Sequence, residues 1–303
     1  MVIIAFPDGS VNIFTKHNYE NQGGYLMKKI LKKATALLAA AAISLSAVVV
    51  APVKAEAADE AGIRAFVTRM YEVCLDREPD TDGLNDWSNR LATGQEQGAN
   101  IAFGFIFSEE FQNHNYNNAD YVEHLYLSLM GRASDTDGKA GWVKTLENGA
   151  SRLYVFRQFI NSVEFQQLCN TYEIQKGDVS LTEERDQNYN VTCFVARNYT
   201  QFLSRNYDTD GLNHWCEAIN HHTQSMQEIA YGFVFSTECS NKNLSNTEYV
   251  KMLYRGCFDR EGDDAGISDW TNALNSGMMD RTQVFWGFAN SQEFANMVES
   301  YHL

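Results

Sequence analysis

Apolar side chains along this chain fall into a few patterns that come back several times. Phe66, Val67, Met70, Tyr71, Cys74 and Leu75 form a stripe of 3.6-residue period, and Tyr121, Val122, Leu125, Tyr126, Leu129 and Met130 repeat it. Such a stripe predicts an amphipathic helix with one face in a core. A second pattern puts Leu84, Trp87 and Leu91 on one helical face, as it does Leu212, Trp215 and Ile219. The third is ambiguous alone, because Phe103, Phe105 and Phe107 alternate as a strand would. Comparison between copies decides for helix, since Ile101/Phe105, Val155/Phe159, Ile229/Phe233 and Val284/Phe288 all recur at i, i+4. Ser108, Ser162, Ser236 and Ser291 then suit the N-caps of a final short helix, each with a Glu two residues on to favour the helix dipole. Three prolines in 303 residues agree with an all-helical chain.

These patterns belong to four repeats. Trp87, Trp142, Trp215 and Trp270 are spaced by 55, 73 and 55 residues, inside "REPDTDGLNDW", "RASDTDGKAGW", "RNYDTDGLNHW" and "REGDDAGISDW". A Tyr-x5-Arg precedes each (Tyr71/Arg77, Tyr126/Arg132, Tyr199/Arg205, Tyr254/Arg260), and a Ser-x-Glu follows. Copies one and three share "GF[IV]FS", whereas copies two and four share "NS" before the Glu, so the order is A-B-A-B. The expected organisation is a helical domain over 58–172 (repeats 58–116 and 117–172) and a homologous one over 191–303 (repeats 191–245 and 246–303). The polar stretch 173–190 is read as the linker between them.

Upstream of the repeats, Met27-Lys28-Lys29 opens a basic stretch, an apolar run ends at Pro52, and small-residue sites follow at Ala55 and Ala57. That order predicts a secretory signal peptide over 27–57. Residues 1–26 precede it, and Gly23-Gly24 with the Tyr25-Leu26 spacer read as a translated ribosome-binding sequence, so they are expected to be mis-assigned upstream sequence. The alternatives are a genuine extension or an uncleaved anchor, the latter being the one expected contact with a membrane. Residues 1–57 hold six lysines and three acids; the remainder therefore carries 18 basic and 36 acidic residues, net −18. An excess of that sign opposes nucleic acid or an anionic bilayer as partner.

The Tyr-x5-Arg, Asp-x-x-Gly-Leu-x-x-Trp and Ser-x-Glu-Phe signatures resemble the domain of unknown function 4214 family, over nearly all of residues 58–303. The resemblance implies a mostly helical bacterial protein, secreted or surface-associated, and implies no activity. The chain departs from the pattern at Cys239, where Phe is expected, and at Lys139, where Leu is expected. The end of the third repeat is therefore expected to pack differently.

Asp-Thr-Asp-Gly also looks like half of a calcium loop. With the glycine at position 6 of an EF-hand register, Asn206, Asp208, Asp210 and Glu217 of the third copy fit; the second copy puts Lys144 where the bidentate acid belongs, and the first and fourth also fail. The competing reading covers all four copies. Asp80, Asp135, Asp208 and Asp263 cap the Trp helix, Arg77, Arg132, Arg205 and Arg260 close the preceding helix and pair with the Asp, and Trp87, Trp142, Trp215 and Trp270 anchor it to the core. Calcium is thus the one cofactor kept in view, at the third loop. His214, Glu217, His221 and His222 have zinc-like spacing in a single copy.

Cys74 and Cys257 occupy apolar helix positions and read as buried thiols, while Cys169, Cys193, Cys216 and Cys239 leave room for one or two disulfides. No nucleophile motif or phosphate-binding glycine loop is present. Aromatic residues ahead of the Ser-x-Glu, namely Phe103, Tyr154, Tyr231 and Trp286, are expected to share one recurring place and, if exposed, to form a docking surface. The function expected is a non-enzymatic extracellular binding or scaffold module for a glycan, the cell wall or another surface protein. A secreted glycan-active hydrolase using acidic residues is the alternative.

Overall fold

Each repeat winds into four helices, and the computed structural model describes residues 2–5, 11–14 and 59–303. The first repeat holds α1 (Glu60–Leu75), α2 (Thr81–Ala92), α3 (Gly98–Ile106) and α4 (Glu109–Gln112). The second holds α5 (Asn118–Leu125), α6 (Thr136–Glu147), α7 (Arg152–Ile160) and α8 (Val163–Thr171). The third holds α9 (Tyr189–Asn198), α10 (Thr209–Asn220), α11 (Met226–Val234) and α12 (Thr237–Ser240). The fourth holds α13 (Asn246–Phe258), α14 (Asp264–Asn275), α15 (Arg281–Ala289) and α16 (Gln292–Glu299). Over residues 59–303 the fold is all-α. Residues 1–55 form a separate unit, in which β1 (Val2–Ala5) pairs antiparallel with β2 (Val11–Phe14), Val2 opposite Phe14. The signal-peptide reading of 27–57 lies outside the described residues. No helix among the described residues is long and apolar enough to cross a membrane.

Caps in the sequence set where the helices begin. Asp80, Asp135, Asp208 and Asp263 each accept the backbone N–H of the glycine three residues on, and Ser108, Ser162, Ser236 and Ser291 do the same for the last short helix. Each such cap stabilises its helix by about 1 kcal/mol. In the second and third repeats the first helix runs on as a π-helical turn, over Tyr126–Met130 and Tyr199–Leu203. A hydroxyl bonded to the preceding turn accompanies both. Ser128 Oγ donates to the His124 carbonyl (2.6 Å) and Thr200 Oγ to that of Arg197 (2.8 Å), competing with the α-helical ladder. The first and fourth repeats carry Glu72-Val73 and Arg255-Gly256 there and stay α-helical.

The repeats pack in pairs, and each pair encloses its own core. Ile63, Phe66, Phe111, Tyr121, Phe156 and Phe165 lead one cluster, and Phe194, Phe202, Phe285, Phe288 and Phe294 the other. The pair interface is the same in both halves: Arg69 Nε donates to the Ser128 carbonyl (2.8 Å), and its counterpart Arg197 donates from Nη1 to that of Gly256 (2.7 Å). Volume is exchanged between the copies. Cys74 faces Ser128 in the first half, whereas Phe202 fills the same place in the second, leaving no room for a Cβ at Gly256. Where Cys239 replaces the buried phenylalanine, Met252 Sδ lies 3.7 Å from its sulfur, and Lys242 Nζ donates to the Phe202 carbonyl (2.9 Å).

Residues 173–190 are packed rather than free, which alters their reading as a linker. The carbonyls of Gln175 and Lys176 accept the N–H groups of Gly98 and Ala99 at the start of α3 (2.9 and 2.8 Å), and Ile174 enters the first core. Further along, Arg185 N–H donates to Asn213 (3.0 Å) and Asn220 donates to the Glu184 carbonyl (3.0 Å), both on α10. Between them Asp186 is buried, taking bonds from the N–H and hydroxyl of Ser151. A segment so rich in polar groups holds position because those groups find partners on both halves. All six cysteines are free thiols, so the disulfides held open for Cys169, Cys193, Cys216 and Cys239 do not form. Cys169 is in one core and Cys216 and Cys239 are in the other, while Cys193 is partly exposed between the halves. Burial pushes the Cys74, Cys169, Cys216 and Cys257 thiols up to about 12.

One position tests this packing directly. A Cβ on Gly138 would stand 2.5 Å from the Tyr126 hydroxyl, and on Gly83, Gly211 or Gly266 it would come closer to Tyr71, Tyr199 or Tyr254. Replacing a helical Gly by Ala ordinarily stabilises by about 1 kcal/mol. Gly211→Ala is expected instead to destabilise by about 1–3 kcal/mol through overpacking. The Tyr199→Phe background should recover most of that loss, and urea unfolding of the four members of this double-mutant cycle is the check.

Candidate functional site

The repeated motif residues assemble around the tyrosine of Tyr-x5-Arg. In each copy the Arg guanidinium lies over the ring, at 4.8, 5.0, 4.9 and 5.1 Å for Arg77/Tyr71, Arg132/Tyr126, Arg205/Tyr199 and Arg260/Tyr254. The ring meets Phe105, Phe159, Phe233 or Phe288 edge-on at 4.7–4.9 Å, and the Trp packs on that same Phe. In copies two to four the Trp indole also lies beside the Tyr hydroxyl. The Trp side chains are half-buried rather than enclosed.

The Arg pairing differs from the expectation. Its close partner is the Glu of Ser-x-Glu, at 3.0, 2.6, 2.6 and 2.5 Å for Glu110, Glu164, Glu238 and Glu293. The capping Asp is a more distant partner, at 3.9 Å for Asp80, 4.0 Å for Asp135 and 3.3 Å for Asp208. The planar guanidinium explains the choice: lying on the tyrosine, it presents its Nε edge to the fourth helix, where the Glu stands. The sequence held this signal, since the Arg and the Glu recur together in all four copies.

The calcium candidates do not converge. Asp208 gives one oxygen to the Gly211 N–H (2.8 Å) and the other to Arg205, contacts that hold its carboxyl below the usual range, the backbone bond foremost. Asp210 stands in the first turn of α10, Glu217 is further along it and Asn206 precedes it. His214 lies against Trp215 and His221 Nε2 is 3.5 Å from Glu184. Among the described residues no three His, Cys, Asp or Glu side chains are gathered as a metal would need.

The aromatic candidates occupy two kinds of place. Phe103, Tyr231 and Trp286 stand five residues before Ser108, Ser236 and Ser291, but Tyr154 stands eight before Ser162 and stacks on Tyr189 (5.6 Å). Arg157 holds the equivalent place in the second copy, where it binds Asp178 (2.8 Å) and is covered by the 173–190 segment. The expected four-fold aromatic surface is therefore three-fold. Tyr231 and Trp286 stack at 5.7 Å across the second pair, both half-buried, while Phe103 is 38% exposed.

Sequence reasoning missed a cleft of about 810 Å³ between the two halves. Its walls are Asn118, Lys144, Glu147 and Asn148 from the second repeat, and Cys193, Arg197, Gln201 and Tyr207 from the third; Asp259 and Tyr301 close it from the fourth. Tyr207 Oη donates to the Leu146 carbonyl (3.2 Å), bridging the halves beside it. Arg197 is nearly buried and donates to the carbonyls of Gly256 and Arg255 and to Asp259 (3.1 Å). Asp259 holds the left-handed conformation that ends α13 (φ 58°), where the second repeat has Gly131. The first half thus has no equivalent of the Arg197–Asp259 pair.

The profile of the family described as "Domain of unknown function (DUF4214)" matches residues 52–115, 102–169, 180–243 and 239–298. No curated protein matches the chain.

Electrostatics in the second repeat give a pH dependence. Lys139, standing where the other copies have Leu84, Leu212 and Ile267, donates to Glu123 (2.9 Å), which also accepts from the N–H and hydroxyl of Ser134. The Ser134 bonds, then Lys139, pull the Glu123 carboxyl down to about 2, and Arg157 does the same for Asp178. A depressed carboxyl contributes stability that is present above its unfolded value, about 4, and lost as pH falls through its folded value. Glu123→Gln should therefore lower the thermal midpoint near pH 6, and its difference from wild type should shrink as pH approaches 2, followed by circular dichroism.

Proposed function

Because the chain belongs to the DUF4214 family, whose description names no activity, we propose from its own geometry that it is a non-enzymatic binding or scaffold module. It works outside the cell, on a glycan, the cell wall or another surface protein. One observation carries this reading: the acids repeated in all four copies are committed to holding the fold. Asp80, Asp135, Asp208 and Asp263 are bound to backbone N–H groups, and Glu110, Glu164, Glu238 and Glu293 to arginines. A glycosidase needs one carboxyl held protonated near neutral pH beside a second that is ionised. The Arg132 pairing moves Glu164 the opposite way, and the backbone bond does so for Asp208 and Asp263. Asp186, which burial does push up, is closed in by Ser151 rather than open to a substrate. Four structurally equivalent units arranged as two similar halves suit a module that presents surface rather than one that turns over a bond.

The purified protein is expected to co-sediment with insoluble cell-wall preparations or to be retained by immobilised cell-surface proteins, and to release no reducing sugar from polysaccharides. Asp208→Asn together with Asp210→Asn should lower the melting temperature while leaving that absence of turnover unchanged. Turnover in the native protein, abolished in a variant that stays folded, would replace this reading with the hydrolase.

A further inference from the structure

We infer that the cleft between the halves is a saccharide-binding site, taking a short neutral oligosaccharide. This rests on the binding-module reading and names its ligand and its place. At about 810 Å³ the cleft lies in the range that small organic ligands fill, ~300–1,000 Å³. Its charges cancel: Lys144 lies 4.0 Å from Glu147, and Arg197 is bound to Asp259. In residues 58–303, with 36 acids against 18 bases, such balance is local, and it disfavours an anion or a cation as ligand.

Three amides are among the hydrogen-bonding groups left over. The side chains of Asn118, Gln201 and Asn206 line the cleft and make no side-chain hydrogen bond among the described residues. An amide both donates and accepts, which is what a sugar hydroxyl requires of its partner. Tyr207 and Tyr301, both half-buried, add ring surface of the kind that receives the C–H face of a pyranose. The π-helical turn Tyr199–Leu203 supplies Thr200 and Gln201 to the same wall. Turns of this kind are frequent at binding sites, because they shift side chains out of helical register at a cost in backbone stability. Leu146 and Ala196 are the aliphatic residues of the lining, too few for an apolar ligand or the anchors of a peptide.

Isothermal titration of the full chain with maltotetraose, cellotetraose and chitotetraose is the test, with thermal shift as a second readout. Saturable binding is expected for at least one of them, accompanied by a higher melting temperature, because a ligand touching both halves binds the folded state alone. Asn118→Ala with Gln201→Ala, which removes no intramolecular hydrogen bond, should weaken that binding about tenfold or more with an unchanged melting temperature of the free protein. Binding that survives this variant and is lost in Trp286→Ala would overturn the cleft and move the saccharide to the aromatic surface, leaving the binding-module reading intact. Absence of binding to all three saccharides would overturn the saccharide assignment, while co-sedimentation and retention separately decide whether the protein is a binding module.

Discussion

The repeat depends on a tyrosine hydroxyl wedged against a helix start. Tyr71, Tyr126, Tyr199 and Tyr254 bring their hydroxyls so close to the third residue of the next helix that only glycine fits there. The same glycine gives its N–H to the capping aspartate. Arginine lies over the ring, phenylalanine meets its edge, and glutamate from the fourth helix fixes the arginine. One side chain thereby ties together all four helices of its repeat. The ion pairs are half-exposed, and as isolated surface pairs each would contribute only ~0–1 kcal/mol. Their larger role is geometric: a planar contact, two-pronged in copies two to four, sets where the last short helix sits.

Duplication has kept the contacts and exchanged the volumes. The Arg69 contact with Ser128 reappears as Arg197 with Gly256, while Cys74 and Ser128 give way to Phe202 and Gly256. The interior is dense enough that a larger residue on one helix requires a smaller one opposite. Cys239 and Met252 in place of Phe111 and His124 make the same kind of exchange, with His124 packed at 5.8 Å from Phe111 in the first half. Cys74, Cys257 and Cys239 belong to this pattern, filling small apolar places where neighbouring copies carry Leu129 or Phe165.

The two halves differ most where they face each other. Asp259 at the end of α13 gives Arg197 a carboxylate that Arg69 lacks, and one of the Arg69 guanidinium nitrogens is buried without a partner. The 173–190 segment covers the second-repeat place that is aromatic in the other copies, binding Arg157 there through Asp178. What began as equivalent surfaces has become a covered face on one side, an aromatic pair at Tyr231 and Trp286 on another, and a polar cleft between.

The all-helical fold, the four repeats and their pairing were legible from the sequence, because helical periodicity and capping are local and the four copies confirm one another. The roles of Asp80 and its counterparts at the helix starts were readable for the same reason. Three matters were decided only in three dimensions. Arg77 and its counterparts were matched by proximity along the chain to Asp, yet bind a Glu about 33 residues away, because the tyrosine beneath fixes where the guanidinium edge points. Tyr154 was grouped with Phe103 as sharing one place ahead of the Ser, but it stands nearly a full turn earlier on its helix, where it stacks on Tyr189 instead. The cleft is lined from three repeats by residues that form no motif, and nothing local marks them. Sequence determined each unit, because its interactions span a few turns of chain; tertiary structure decided the site, because that lies where separate units meet.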